Sequence, residues 1–311
     1  MGLFSKKFAI GLCAVALLAT RAEQSSGEWV TELLDDMGGS WSSEGTQRWD
    51  VQKGFVQGET RIGLAPSRGD GKMVLSHKAF PPIDVGGQII SGDGTSIHTK
   101  KSFHPPAVGE IVRFETCVNT VGAHKLSGMV FGIFVFDNWC SSGPTMQCWD
   151  SSDPEEKEKR RQNEFDFELI GNRETEVQLA IYNRWNENHG WADAESNTYN
   201  HNASKNHWQK IVGSDGNMND AACYRANWSQ PTPGNFQLEW SVKHVENSTY
   251  TTLKTLTGPA VPGADGRSTK LFFNAWKSHA SWTIAYDQWA TELNRTHQLE
   301  LDWVKVSRYT P

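Results

Sequence analysis

The sequence predicts an all-β fold, two antiparallel sheets packed as a sandwich, and three observations predict it. Short segments rich in β-branched and aromatic residues recur along the chain, bounded by Gly, Pro, Asn or Ser. Trp is abundant, 14 residues with 28 Gly in a chain of 311, and Leu, Ala and Glu do not dominate as they do in helical proteins. Helical runs do not alternate with the strand-like segments, which excludes a βαβ architecture.

The segments follow in order. Residues 72–75 come after Gly69-Asp70-Gly71, and 88–90 follow Gly86-Gly87. Residues 111–118 follow the Pro105-Pro106 and Gly109 break, and 129–136 begin after Gly128. Residues 164–170 end at Gly171-Asn172, and 176–182 end at Asn183. Residues 236–243 follow Pro233-Gly234-Asn235, and 250–256 lie between Asn247 and Gly258-Pro259. Residues 271–276 and 298–306 complete the set. The charge run at 153–161 reads as a solvated loop or short surface helix before a strand.

The N-terminus reads as an address. Lys6 and Lys7 precede an apolar stretch at 8–19, and small residues follow at Thr20 and Ala22. That is signal-peptide order, with cleavage after Ala22, and the stretch is short for a membrane span. A buried N-terminal helix explains the order less well. Myristoylation is excluded because position 6 is Lys. The mature part, 23–311, is expected to be one domain, since no Pro- or Ser-rich linker or internal repeat divides it. Secretion, to the extracellular space or cell wall, is the expected destination. Cys13 leaves with the signal peptide, and Cys117, Cys140, Cys148 and Cys223 allow three pairings. Cys140 and Cys148 flank a Ser-Gly-Pro loop and are expected to pair. Sequons stand at Asn202, Asn227, Asn247 and Asn294. The net charge of -6 builds no basic face, so no nucleic-acid partner is expected, and no membrane partner.

Residues 163–172 (NEFDFELIGN) carry the chemistry. On a strand, side chains alternate faces. Glu164, Asp166 and Glu168 share one face, while Phe165, Phe167 and Leu169 share the other and can pack between sheets. Three like charges on one face repel, a cost a fold accepts where the charges perform chemistry or bind a cation. Retaining glycoside hydrolysis needs two carboxyl groups about 5–5.5 Å apart. Residues i and i+4 of a strand have Cα atoms about 13 Å apart, and two Glu side chains leaning together close most of that gap. Asp166 between them can hydrogen-bond one and hold the shared charge.

This segment resembles the E-x-D-x-E signature of glycoside hydrolase family 16, in the lichenase and xyloglucan endotransglycosylase branch. The resemblance implies a concanavalin A-like β-jelly-roll and a retaining mechanism, with Glu164 as nucleophile, Asp166 as its helper and Glu168 as general acid/base. Arg113 to Thr116, Gly128 to Phe134, Gln178 to Asn183, Phe236 to Trp240, Phe273-Asn274-Ala275-Trp276 and Leu301 to Val306 resemble family strands in the family's order. The resemblance runs from about residue 105 onward. It implies substrate contacts from Gln178, Asn183, Trp185, Asn274, Trp276 and Trp282, aromatic faces stacking on sugar C–H faces. Trp240 and Trp303, in apolar strands, are expected in the core. No cofactor is required, and family members often carry a structural calcium on the convex side.

Departures bear on substrate. The signature is the five-residue form without a bulge, which argues against laminarin, agarose and carrageenan. Phe165 replaces the usual Ile, Asn163 stands where an acid is common, and Leu179-Ala180 replace the usual Thr-Asn. Rival constellations are weak. Ten His form no H-E-x-x-H, and no G-x-S-x-G elbow occurs. Asp215, Asn217 and Asn219 start like a calcium loop, but positions 220 and 226 are Asp and Ala, so they read as a polar turn. The sequence thus points to an endo-acting β-glucan hydrolase or transglycosylase, working as a monomer on a polysaccharide. The alternatives are a non-catalytic lectin on the same sandwich, which has no need of both Glu, and a structural wall protein, which leaves the acidic strand unexplained.

Overall fold

The computed structural model describes residues 27–121, 128–141, 147–171, 176–183, 185–186, 190–191, 207–210, 221–278 and 295–311. The signal segment, Trp282, Asn202, Asn294 and the polar turn at 215–219 lie outside the described residues. The long strands are β1 (Glu28–Asp35), β2 (Lys72–Val85), β3 (Gln88–Thr99), β4 (Ile111–Val121), β5 (Met129–Cys140) and β6 (Arg160–Ile170), then β7 (Glu176–Asn183), β8 (Ala222–Thr232), β9 (Asn235–His244), β10 (Thr251–Thr257), β11 (Lys270–Lys277) and β12 (Thr296–Thr310). Each predicted segment falls inside one of these strands, except that 250–256 begins one residue before Thr251. The charge run forms a helical turn, Pro154–Lys157, capped by the Asp153 carboxylate accepting from Glu155 N–H.

Two antiparallel layers result, a jelly roll. The back sheet runs β2–β12–β4–β8–β9–β10, with β1 beside the far half of β12. The front sheet runs β3–β11–β5–β6–β7, flanked by Trp49–Val51 and His207–Lys210. Strand β3 belongs to both: its first half pairs with β2 and its second with β11.

The core forms where inward residues of the two sheets meet. Phe165 of β6 packs on Phe114 of β4 and Trp228 of β8, at ring distances of 5.9 and 5.8 Å. Phe167 meets Tyr224 at 5.2 Å. Each such ring contributes about 1.5–3 kcal/mol by leaving water. Trp240 is fully buried as expected. Trp303 is not: a register shift between Leu301 and Trp303 turns it outward opposite Cys117 and leaves it half-buried. Beyond the core's edge, Arg68 and Asp35 form a buried bidentate pair at 2.6 and 2.9 Å, and Trp49 Nε1 donates to the same carboxylate.

Two disulfides are present. Cys140–Cys148 ties the end of β5, and Cys117–Cys223 joins β4 to β8 at directly paired positions. Asn227 lies within β8, its Oδ1 accepting from Arg113 Nε at 2.8 Å and its Nδ2 donating to Glu239 at 3.1 Å. Asn247 sits in an exposed turn after β9. Among the described residues no helix is long and apolar enough to cross a membrane.

Candidate active site

Strand β6 builds the site because its alternation is unbroken. It pairs with β5 without a register shift from Arg160 to Ile170, and with β7 from Asn163 to Glu168. Phe165, Phe167 and Leu169 are anchored in the core, so Glu164, Asp166 and Glu168 all face the other way, into a cleft of about 650 Å³. The pairing fixes their neighbours. Glu164 lies opposite Phe136 and Tyr182, Asp166 opposite Phe134, and Glu168 opposite Gly132 and Gln178.

Burial acts on all three acids. Glu164 is pushed up to about 8, by burial first and then by the charge of Glu168. Gln162 Nε2 donates to its carboxylate and, with Asp166, opposes that rise. Glu168 is pushed up to about 7 by burial, opposed by Gln178 Nε2, which donates to Oε2 at 2.7 Å. Asp166, only 4% exposed, is held well above the usual carboxylate range by burial and then by the charges of Glu164 and Glu168. These shifts favour the protonated form of Asp166, whose hydrogen bond with Glu164 raises Asp166 and lowers Glu164. The two glutamates then share negative charge and a proton. Gln162 and Asp166 favour the charged form of Glu164, as Gln178 favours that of Glu168, while burial and the Glu168 charge leave Glu164 the higher of the two. This arrangement suits one glutamate to act as an anion and the other as an acid.

The expected contacts divide. Asn274 and Trp276 line the cleft. Asn274 Oδ1 accepts from Gly132 N–H at 3.0 Å, which leaves its amide N–H groups for a ligand. A Cβ at Gly132 would sit 2.5 Å from that oxygen, so the close approach requires glycine. Two expectations are corrected. Asn183 does not face the cleft: it is an odd number of positions from Gln178, so it points between the sheets, where its Nδ2 donates to the carbonyls of Pro259 and Val261. Gln178 is on the correct face but is 1% exposed and is spent on Glu168, beneath the cleft surface. Trp185 pairs through its backbone with Trp191.

Sequence reasoning missed Tyr182, Phe134, Phe136 and Phe272, which line the cleft. Tyr182 shares a face with Gln178 by period two, a signal present in the sequence. Its hydroxyl stays protonated, because burial and then the three carboxylates push it well up. The phenylalanines form one cluster, Phe134 stacked on Phe272 at 5.1 Å and Phe136 edge-on to Phe272 at 5.4 Å. Gln52, Phe55 and Gln57 supply a further wall. Among the described residues no group of three or more His, Cys, Asp or Glu is arranged to hold a metal ion.

No family model matches this chain, and no curated protein matches it. Solved structures do. A prokaryotic β-1,3-1,4-glucanase (lichenase) derived from a mouse hindgut metagenome is 17% identical, with a TM-score of 0.54 over 88% of this chain and 97% of that one. The endo-1,3-β-glucanase from Streptomyces sioyaensis is 13% identical, with a TM-score of 0.58 over 91% and 97%. The endo-β-1,3-glucanase from Pyrococcus furiosus is 13% identical, with a TM-score of 0.59 over 92% and 97%. The likeness shows the fold: this chain is a concanavalin A-like β-jelly-roll of the kind these glucanases have.

Proposed function

We propose that this chain is a secreted, retaining, endo-acting glycosidase of glycoside hydrolase family 16 type, one catalytic domain over residues 23–311 that hydrolyses or transglycosylates β-glucan-type polysaccharides. The observation that carries it is the set Glu164, Asp166 and Glu168 on one face of β6, at the floor of an open, aromatic-walled cleft. In the first step Glu164 attacks the anomeric carbon while Glu168 gives its proton to the departing oxygen, so one C–O bond forms as the glycosidic bond breaks. Asp166 donates toward Glu164 and holds the nucleophile's charge until it is spent. In the second step Glu168, now a carboxylate, takes a proton from water or from a sugar hydroxyl. That oxygen attacks the anomeric carbon, and Glu164 leaves as a carboxylate. Asn274 and Trp276 hold the sugar.

The solved neighbours act on both mixed-linkage and β-1,3 glucans by their names. The unbulged β6 favours mixed-linkage β-glucan and xyloglucan. The test is product analysis on mixed-linkage β-glucan, xyloglucan, laminarin and agarose, with a labelled oligosaccharide acceptor, for wild type and Glu164→Ala. Cleavage or acceptor labelling by the wild type alone is expected. Retained glycan binding without reaction in either protein would turn the reading to a lectin, and equal activity in both would remove Glu164 as nucleophile.

A further inference from the structure

A buried ion pair on the front sheet takes no part in the chemistry above. Lys277, the last residue of β11, has a side chain 1% exposed, and its Nζ donates to Glu59 Oε2 at 2.7 Å. Ser91 Oγ donates to the same oxygen at 2.6 Å. The backbone of Lys277 is held as well: its N–H donates to Thr60 Oγ1 at 2.8 Å, and its carbonyl accepts from Glu59 N–H at 2.9 Å. Glu59 and Thr60 belong to the tight hairpin that pairs Phe55–Gln57 with Thr60–Ile62. Gly58 begins its turn at φ +59. A Cβ there would run into the Lys277 carbonyl and lie 3.0 Å from the Trp276 ring. Trp276 on one side of this junction, and Phe55 and Gln57 on the other, line the same cleft.

Taking two charges out of water costs several kcal/mol per ion, and apolar residues of similar volume often hold a fold as well. A charged, hydrogen-bonded pair differs in being directional, since it accepts one relative placement of its two elements. We propose that the Glu59–Lys277 pair, closed over Gly58, is a clasp that sets the spacing between Trp276 and the wall carrying Phe55 and Gln57, and so the cleft's grip on glycan units away from the scissile bond. The inference rests on the glycosidase reading. Strand β5 separates β11 from β6, so Trp276 stands about 10 Å from the carboxylate strand, two strand spacings away. A substrate that fills only the scissile position does not reach the wall beyond it. Glu59 and Lys277 are positioning residues.

The test uses the full-length protein with the double substitution Glu59→Gln/Lys277→Met, which removes both charges together. Three quantities are measured: amide hydrogen exchange over residues 55–62, kinetics on a glucan polymer, and kinetics on a short aryl β-glycoside. Exchange should rise, and KM for the polymer should rise about tenfold at unchanged kcat, with kcat/KM on the short glycoside within about twofold of wild type. Glu59→Asp, which keeps the charge and withdraws it by one methylene, is the milder second variant. It should raise polymer KM about threefold without lowering the melting temperature. Unchanged polymer KM, or an equal loss on both substrates, would overturn the clasp. A wild type that cleaves no glycan sinks the glycosidase reading instead. Hydrogen exchange still judges the clasp in that case, and unchanged protection at 55–62 would overturn it.

Discussion

At the scale of single residues, protons decide the behaviour of the site. Gln178 donates to Glu168 and so favours its charged form. Gln178→Met removes that donor and should move the basic limb of the kcat/KM profile to higher pH by about one unit, measured on any active substrate. The same carboxyls work against folding. A carboxyl whose folded-state pKa is raised costs stability once pH exceeds its unfolded value, and the cost is complete above its folded value. For Glu168 that window runs from 4.5 to about 7. Glu168→Gln should therefore raise the melting temperature at pH 8, by about 1–3 kcal/mol of stability, and change it little at pH 4. Thermal melts at the two pH values check this. An equal gain at both would mean that packing, not charge, is responsible.

At the scale of elements, one strand carries the catalytic proposal and its neighbours set the geometry. Gly132 on β5 lies between Glu168 and Asn274 in the pairing. Gly132→Ala places a methyl group against Asn274 Oδ1, so it should lower kcat/KM about tenfold and lower the melting temperature as well. Calorimetry and kinetics on the same preparation separate the two effects. Much of this geometry was legible in the sequence, and the reason is parity. The run from Phe165 to Leu169 alternates without interruption, so the acidic face of β6 could be read directly. Parity also marks where reading by segment failed. Asn183 was grouped with Gln178 although they lie on opposite faces, and Trp303 was placed in the core because the register shift after Leu301 leaves no mark in the sequence. The wall at 49–62 was invisible for another reason. Its strands are only three residues long, and their place is set by contacts with β3 and Lys277, distant in the chain. The phenylalanine cluster likewise depends on β5 lying beside both β6 and β11, which no local pattern states.

At the scale of the whole molecule, opposing groups shape stability against pH. His77 is completely buried and pushed down to about 3, by burial first and then by the charges of His297 and Lys277. Its neutral form fits the fold. The stability it contributes is whole above its unfolded pKa of 6.5 and is lost as pH falls toward about 3. The raised carboxyls of β6 act in the opposite sense, so the fold should be most stable between these limits. His77→Gln should flatten the acid limb of urea-unfolding stability between pH 6.5 and 4, by a few kcal/mol at the acid end. An unchanged acid limb would remove His77 from the account. Asp35 anchors another part of the fold. Asp35→Ala leaves Arg68 buried without its partner and should cost about 3–5 kcal/mol, read from the same unfolding curves.

The Cys140–Cys148 bridge also bears on what proteolysis can do to the fold. It spans the stretch just after β5, and Arg160 at the start of β6 donates to the carbonyls of Cys148 and Trp149. A protease cut between the two cysteines would therefore leave the halves joined through sulfur twice, by this bridge close to the cut and by Cys117–Cys223 farther off, with the strand bearing the three acids still seated beside its neighbour. Digestion without reductant should then yield a nicked protein that runs as one piece, and only reduction would separate the fragments.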